Sequence, residues 1–130
     1  MKAGVFAAGV AVFLIVAPGA GAGGKAATTV HFTTIISTGS DGSYYEGSIE
    51  SPKRACANDR KITVFKRTPG SDKVIGSTRS KPRGELGYEW TLEVPEHLKN
   101  GTYYAKAPAT SNCRGDKSPE VTYRTVPRRA

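Results

Sequence analysis

Cysteine, histidine, methionine and tryptophan are all scarce in this chain: of 130 residues, two are Cys, two His, one Met and one Trp. Two cysteines are too few for a disulfide-dense miniature scaffold or a multi-cysteine zinc module. A single Met and dispersed leucines do not supply the apolar stripes of a helical bundle. Acidic side chains are also the minority, 11 against 19 Lys and Arg, for a formal charge of +8. With 23 % charged and 38 % hydrophobic residues, the chain is neither a charge-rich disordered polymer nor a membrane protein throughout. Its length suits one domain.

The N-terminus reads as an address. Met1-Lys2 is a short positive start, Ala3 to Ala17 is apolar, and Pro18-Gly19 breaks any helix. Ala20-Gly21-Ala22 then fits the small-x-small pattern of a leader cleavage site. Spanning a bilayer takes about 20 apolar residues, and this run is shorter. The expectation is a signal peptide over 1–22, a disordered Gly/Ala linker over 23–27, a folded domain over 28–126 and a basic tail over 127–130. Cleavage would remove Lys2 and bring the charge from +8 to +7. The protein is then secreted or held at the cell surface, and membrane contact would require an uncleaved leader.

Export decides how the cysteines are read. An even pair with no Cys-x-x-Cys spacing, in an oxidising compartment, is expected to form one disulfide, Cys56–Cys113. Two buried thiols would be the alternative in a reducing cytosol. The bridge would close a loop of about 58 residues, which the chain-entropy relation values at roughly 4 kcal/mol.

Beyond Ala27, short runs of Thr, Val, Ile and Tyr alternate with Gly, Pro and Asn turns. Seven strands are predicted: A (28–36), B (44–50), C (60–67), D (73–78, an edge), E (87–94), F (102–107) and G (120–126). Period-two alternation puts Tyr45, Gly47 and Ile49 on one face of B, Ile62 and Val64 inward on C, and Tyr88, Trp90, Leu92 and Val94 on one face of E. A helical turn over 95–99 is the only helix expected. Tyr103, at the start of F, is either a corner tyrosine tied by its hydroxyl to the preceding loop or a plain core ring. The fold class is all-β: a seven-stranded, two-sheet sandwich with one disulfide.

The order Tyr45-x-Gly47-x-Ile49, Cys56, Arg60-Lys61-Ile62-x-Val64-Phe65, Val74-Ile75-Gly76, Tyr88-x-Trp90, Asn100-Gly101-Thr102-Tyr103-Tyr104-Ala105 and Cys113 resembles transthyretin-like sandwiches. Closest in kind are the carboxypeptidase regulatory-like domains of secreted bacterial proteins. The resemblance covers about 80 residues and implies an accessory or surface domain without catalysis. It does not extend to the basic loop Thr78-Arg79-Ser80-Lys81-Pro82-Arg83-Gly84, which replaces the family's usual turn into strand E.

In an antiparallel succession the B–C, D–E and F–G connections emerge at one pole. That pole would gather both cysteines and nine cations: Lys53, Arg54, Arg60, Lys61, Arg79, Lys81, Arg83, Arg114 and Lys117. The acids counted beside them are Asp59, Glu85 and Asp116, whereas Asp41, Asp72 and Glu96 balance Arg67, Lys73 and Lys99 at the other pole. A pinned basic pole suits an anionic polysaccharide, another cell-envelope component such as lipid headgroups, or the acidic face of another secreted protein. The plain alternative is a solvated, solubilising surface. Other readings are a protein-interaction or inhibitor module using the pinned loops, or a passive surface or matrix protein. Nucleic acid is not expected, since no recognition helix, zinc finger or aromatic-basic strand motif occurs. A monomer is expected.

Arg114-Gly115-Asp116 is a common chance tripeptide, and Asn100-Gly101-Thr102 reads as a turn before it reads as a glycosylation site. Asp41-Gly42 lacks the alternating acids of a calcium loop. His31 and His97 have no partner pattern of a zinc site or hydrolase triad. Glu89 and Glu93 are four residues apart along a strand, roughly 13 Å, too far for paired glycosidase carboxylates. No Gly-x-Ser-x-Gly occurs. No catalytic residue, cofactor or metal is assigned.

Overall fold

The computed structural model describes residues 24–125, and the leader segment, its cleavage site and the basic tail lie outside them. Two antiparallel sheets face each other. The first is built from β1 (Thr29–Ser37), β2 (Ser43–Glu50), β6 (Tyr88–Val94) and β5 (Lys81–Pro82), in the order β1-β2-β6-β5. The second runs β4 (Lys73–Arg79), β3 (Lys61–Lys66), β7 (Gly101–Ala107) and β8 (Asp116–Lys117), with β9 (Val121–Tyr123) also paired to β7.

The expected two-sheet sandwich is present, with nine strands in place of seven. Strand D is the edge strand it was expected to be, here β4. The extra strands are two-residue pieces. β5 ends on Pro82, which has no N–H to give and therefore belongs on an edge. β8 and β9 flank Ser118-Pro119, where the buried Ser118 side chain accepts from the Ala105 N–H at 2.9 Å in place of a backbone carbonyl. The helical turn expected over 95–99 is not formed. Short 3-10 turns occur instead at Arg54–Cys56 and Gly84–Leu86.

Alternation places the core. Val30, Tyr45, Ile49, Ile62, Val64, Trp90, Leu92 and Tyr103 are buried between the sheets, and Val121 and Tyr123 pack against them from β9. Gly47 lies opposite Trp90 in the β2–β6 register. A side chain there would meet the His31 carbonyl at 2.0 Å and the indole ring at 2.5 Å, so Gly47 is the seat on which the tryptophan rests. The Trp90 Nε1–H donates across that seat to the His31 carbonyl at 3.1 Å. Phe32 meets the indole edge-on at a centroid distance of 5.3 Å.

Tyr103 is both a core ring and a corner: it is 1 % exposed, and its hydroxyl donates to the Lys99 carbonyl at 2.6 Å. Burial pushes its phenol up to about 12, against about 10 in an unfolded chain. Above pH 10 the unfolded chain gives up this proton while the folded one keeps it. Stability therefore falls with pH until the folded phenol also ionises. Tyr103→Phe should cost about 1 kcal/mol at neutral pH by losing the hydrogen bond. It should also lose stability less steeply between about pH 10 and 12. Tyr45, whose phenol burial also raises, keeps the slope from vanishing. Urea midpoints across alkaline pH measure both effects, and parallel curves for the two proteins would refute the assignment.

Candidate functional site

Strand parity brings the ends of β2, β4 and β7 and the starts of β3 and β6 to one pole. There the chain is knotted together. Cys56, in a 3-10 turn, is bonded to Cys113 in the loop after β7, with Cα atoms 5.5 Å apart. The segment before β1 joins them: the Ala26 N–H donates to the Asn112 carbonyl at 3.0 Å, and the Arg114 N–H to the Ala26 carbonyl at 2.8 Å. Within the segment 23–27 expected as a linker, Ala26 is thus paired on both its backbone groups, because the loop it crosses offers partners. The disulfide points to a compartment other than the reducing cytosol.

Arg60 is the centre of this knot and not part of its surface. It is 4 % exposed. One guanidinium nitrogen donates to Thr28 Oγ1 at 3.0 Å and the Cys56 carbonyl at 2.8 Å; the other donates to the carbonyls of Pro108 at 2.8 Å and Arg114 at 2.7 Å. Its backbone is held as well, with the N–H on Ser80 Oγ at 2.8 Å and the carbonyl accepting from the Ser80 N–H at 2.9 Å. Burial pushes the guanidinium below its ordinary pKa, and among the described residues no carboxylate lies within ion-pair distance to offset that. Its Nε has no partner among the described residues. One side chain therefore ties three segments, the one before β1 and the loops after β2 and β7, and the expectation that Arg60 meets a ligand is corrected. Period two carried the signal: Arg60, the residue before β3, has the parity of the inward Ile62 and Val64.

Lys117 is also displaced from the pole. It lies on the outer face of the second sheet, its Nζ 4.4 Å above the Tyr104 ring and 3.4 Å from Glu120. Cross-strand packing with β7 turns it along the sheet.

The remaining seven cations, Lys53, Arg54, Lys61, Arg79, Lys81, Arg83 and Arg114, are exposed. Lys61 and Arg79 are register partners at the ends of β3 and β4. Beside them lies a shallow depression of about 330 Å³, lined also by Ala55, Asp59, Pro108 and Thr110. Arg79 contacts Asp59 at 3.7 Å and Arg83 contacts Glu89 at 3.7 Å. Lys53, Arg54, Lys61, Lys81 and Arg114 have no carboxylate within 4 Å among the described residues. Glu50 and Glu89 reach this end too, though sequence parity did not count them. Glu50 pairs with His31 at 3.2 Å. Asp116 is withdrawn, its carboxylate accepting from the Val30 N–H at 2.7 Å. That bond commits the Arg-Gly-Asp tripeptide to structure.

At the opposite pole two cations are paired, while Lys66, Lys99 and Arg124 have no carboxylate within 4 Å among the described residues. Lys73 meets Glu96 at 2.8 Å, and Arg67 meets Asp72 and Glu120. The Tyr104 hydroxyl, donating at 2.6 Å, holds the Asp72 carboxyl below its ordinary range. Asn100 Oδ1 accepts from the Thr125 N–H at 2.8 Å, the role of a turn residue.

Sequence reasoning missed Leu86, which is 80 % exposed in the turn before β6. The hairpin glycines around it were visible, but not the direction of the side chain. No family model, curated protein or solved structure matches this chain.

Proposed function

We propose that this chain is an exported, non-catalytic sandwich module that binds anionic groups of the cell envelope through its disulfide-pinned pole. The observation that carries the reading is the contrast between the two ends. Seven exposed cations share one pole and five of them lack carboxylate partners among the described residues, whereas at the other Arg67 and Lys73 are paired and only Lys66, Lys99 and Arg124 are not. A rigid base matters because cations on fixed loops lose less freedom when they engage a polyanion. The leader-like N-terminus and the disulfide support export, and the resemblance to transthyretin-like accessory domains supports a role without chemistry.

Binding to an immobilised sulfated or uronic polysaccharide tests the reading. Affinity should fall steeply as salt rises. Lys53→Glu/Arg54→Glu should weaken it at least tenfold, whereas Lys99→Glu/Arg124→Glu, the same charge change at the far pole, should change it less than twofold. Equal losses from both pairs, or a wild type that at low salt binds neither this polyanion nor anionic vesicles, would overturn it.

A further inference from the structure

Leu86 is the most exposed large apolar side chain among the described residues. Its position is constructed. The Arg83 N–H donates to the Gly87 carbonyl at 2.7 Å, and the Leu86 N–H to the Arg83 carbonyl at 2.9 Å, closing a tight turn. Gly84 and Gly87 have φ of +53° and +105°, a backbone region that residues with side chains rarely adopt, and both stand in open space. These glycines therefore serve the path of the chain, and that path holds a leucine out into water.

The surroundings are mixed with cations in excess. Lys81 and Arg83 precede the turn, Glu85 stands in it beside Leu86, and Glu89 lies 3.7 Å from Arg83. The Ile49–Tyr88 register brings the end of β2 alongside it, and Pro52, Lys53 and Arg54 follow in the loop that leaves that end. We infer that this tip docks peripherally on an anionic bilayer, Leu86 entering the interfacial layer while Lys53, Arg54, Lys81 and Arg83 meet headgroup phosphates. The inference rests on the reading of the pole above and names the surface it meets. A convex leucine gives a sugar polymer neither a hydrogen bond nor a flat face to stack on. A protein partner would have to dehydrate the lysine heads of Lys53 and Lys81, which interface cores disfavour. A headgroup layer leaves those heads hydrated and accepts the leucine beneath them.

Co-sedimentation with vesicles of phosphatidylglycerol in phosphatidylcholine, against phosphatidylcholine alone, is the test. The wild type should bind only the anionic vesicles and should be released by about 1 M salt. Leu86→Ala should weaken binding about tenfold, and Leu86→Trp should restore it. The new indole should shift its emission to the blue on binding, over the constant signal of the fully buried Trp90. Wild-type binding by Leu86→Ala, or an unmoved Leu86→Trp emission while the protein sediments, would overturn insertion of the tip. Retained polysaccharide binding without vesicle binding, whether or not it depends on Leu86, would overturn the lipid assignment and leave the basic pole standing. Loss of both would remove the pole itself.

Discussion

Arg60→Met should lower the unfolding free energy by about 3–5 kcal/mol, the range for breaking a buried charged network. The wild-type guanidinium makes four hydrogen bonds, three of them to carbonyls of the loops after β2 and β7. Methionine fills most of the volume but leaves those acceptors facing an apolar side chain, and each buried unsatisfied group costs about 1–3 kcal/mol. Some carbonyls will recover water, which keeps the sum below the arithmetic maximum. Arg60→Lys keeps the charge but replaces a planar fork with a point donor that cannot span four acceptors in two directions, so it should recover less than half of the loss. Urea denaturation measures both variants. A methionine variant within 1 kcal/mol of wild type would show that Arg60 is an ordinary buried stem and not the tie between the loops.

Much of this body was legible because period two survives in the strands that make the core. Ile62-x-Val64 and Trp90-x-Leu92 have one possible inward face, and the structure buries it. The strands hidden from sequence are the shortest. Two residues such as Lys81-Pro82 or Asp116-Lys117 carry no periodicity, and their pairing is imposed by the neighbours β6 and β7. The 95–99 segment looked helical by its Pro-Glu start, but Leu98 is drawn into the core and Lys99 must present its carbonyl to Tyr103. Tertiary demand overrode a local preference.

The basic pole was legible as a location and not as a set of side chains. Parity says which loops share an end, and the Cys56–Cys113 bond agrees. It does not say which cations point outward. Arg60 reads as a surface charge between Asp59 and Lys61 because composition there is polar, yet its parity belongs to the core. Lys117 depends on a two-residue strand that sequence could not place. Leu86 depends on a turn whose direction follows from two positive-φ glycines, and glycine alone announces freedom without saying how it is used.

Removing the disulfide by Cys56→Ala/Cys113→Ala should cost about 4 kcal/mol, the chain-entropy value for a closed loop of this length. The bonded residues are 57 apart in sequence. A single domain commonly has 5–15 kcal/mol in all, so the variant should remain folded with a thin margin. At roughly 4–8 °C per kcal/mol, its melting temperature should fall by about 15–30 °C. The native pole should change less than the stability does. Arg60 still holds the Cys56 and Arg114 carbonyls, and Ala26 still pairs with the loop after β7. Polysaccharide affinity of the folded variant should therefore stay within about threefold of wild type, because the same cations stand on loops held by a second tie. Calorimetry and binding measured on one preparation separate the two effects. A stability loss below 1 kcal/mol would mean that the unfolded chain is compact enough to make the bridge redundant. A stable variant that loses polysaccharide binding would instead mean that the sulfur bond, and not the guanidinium, positions the loops.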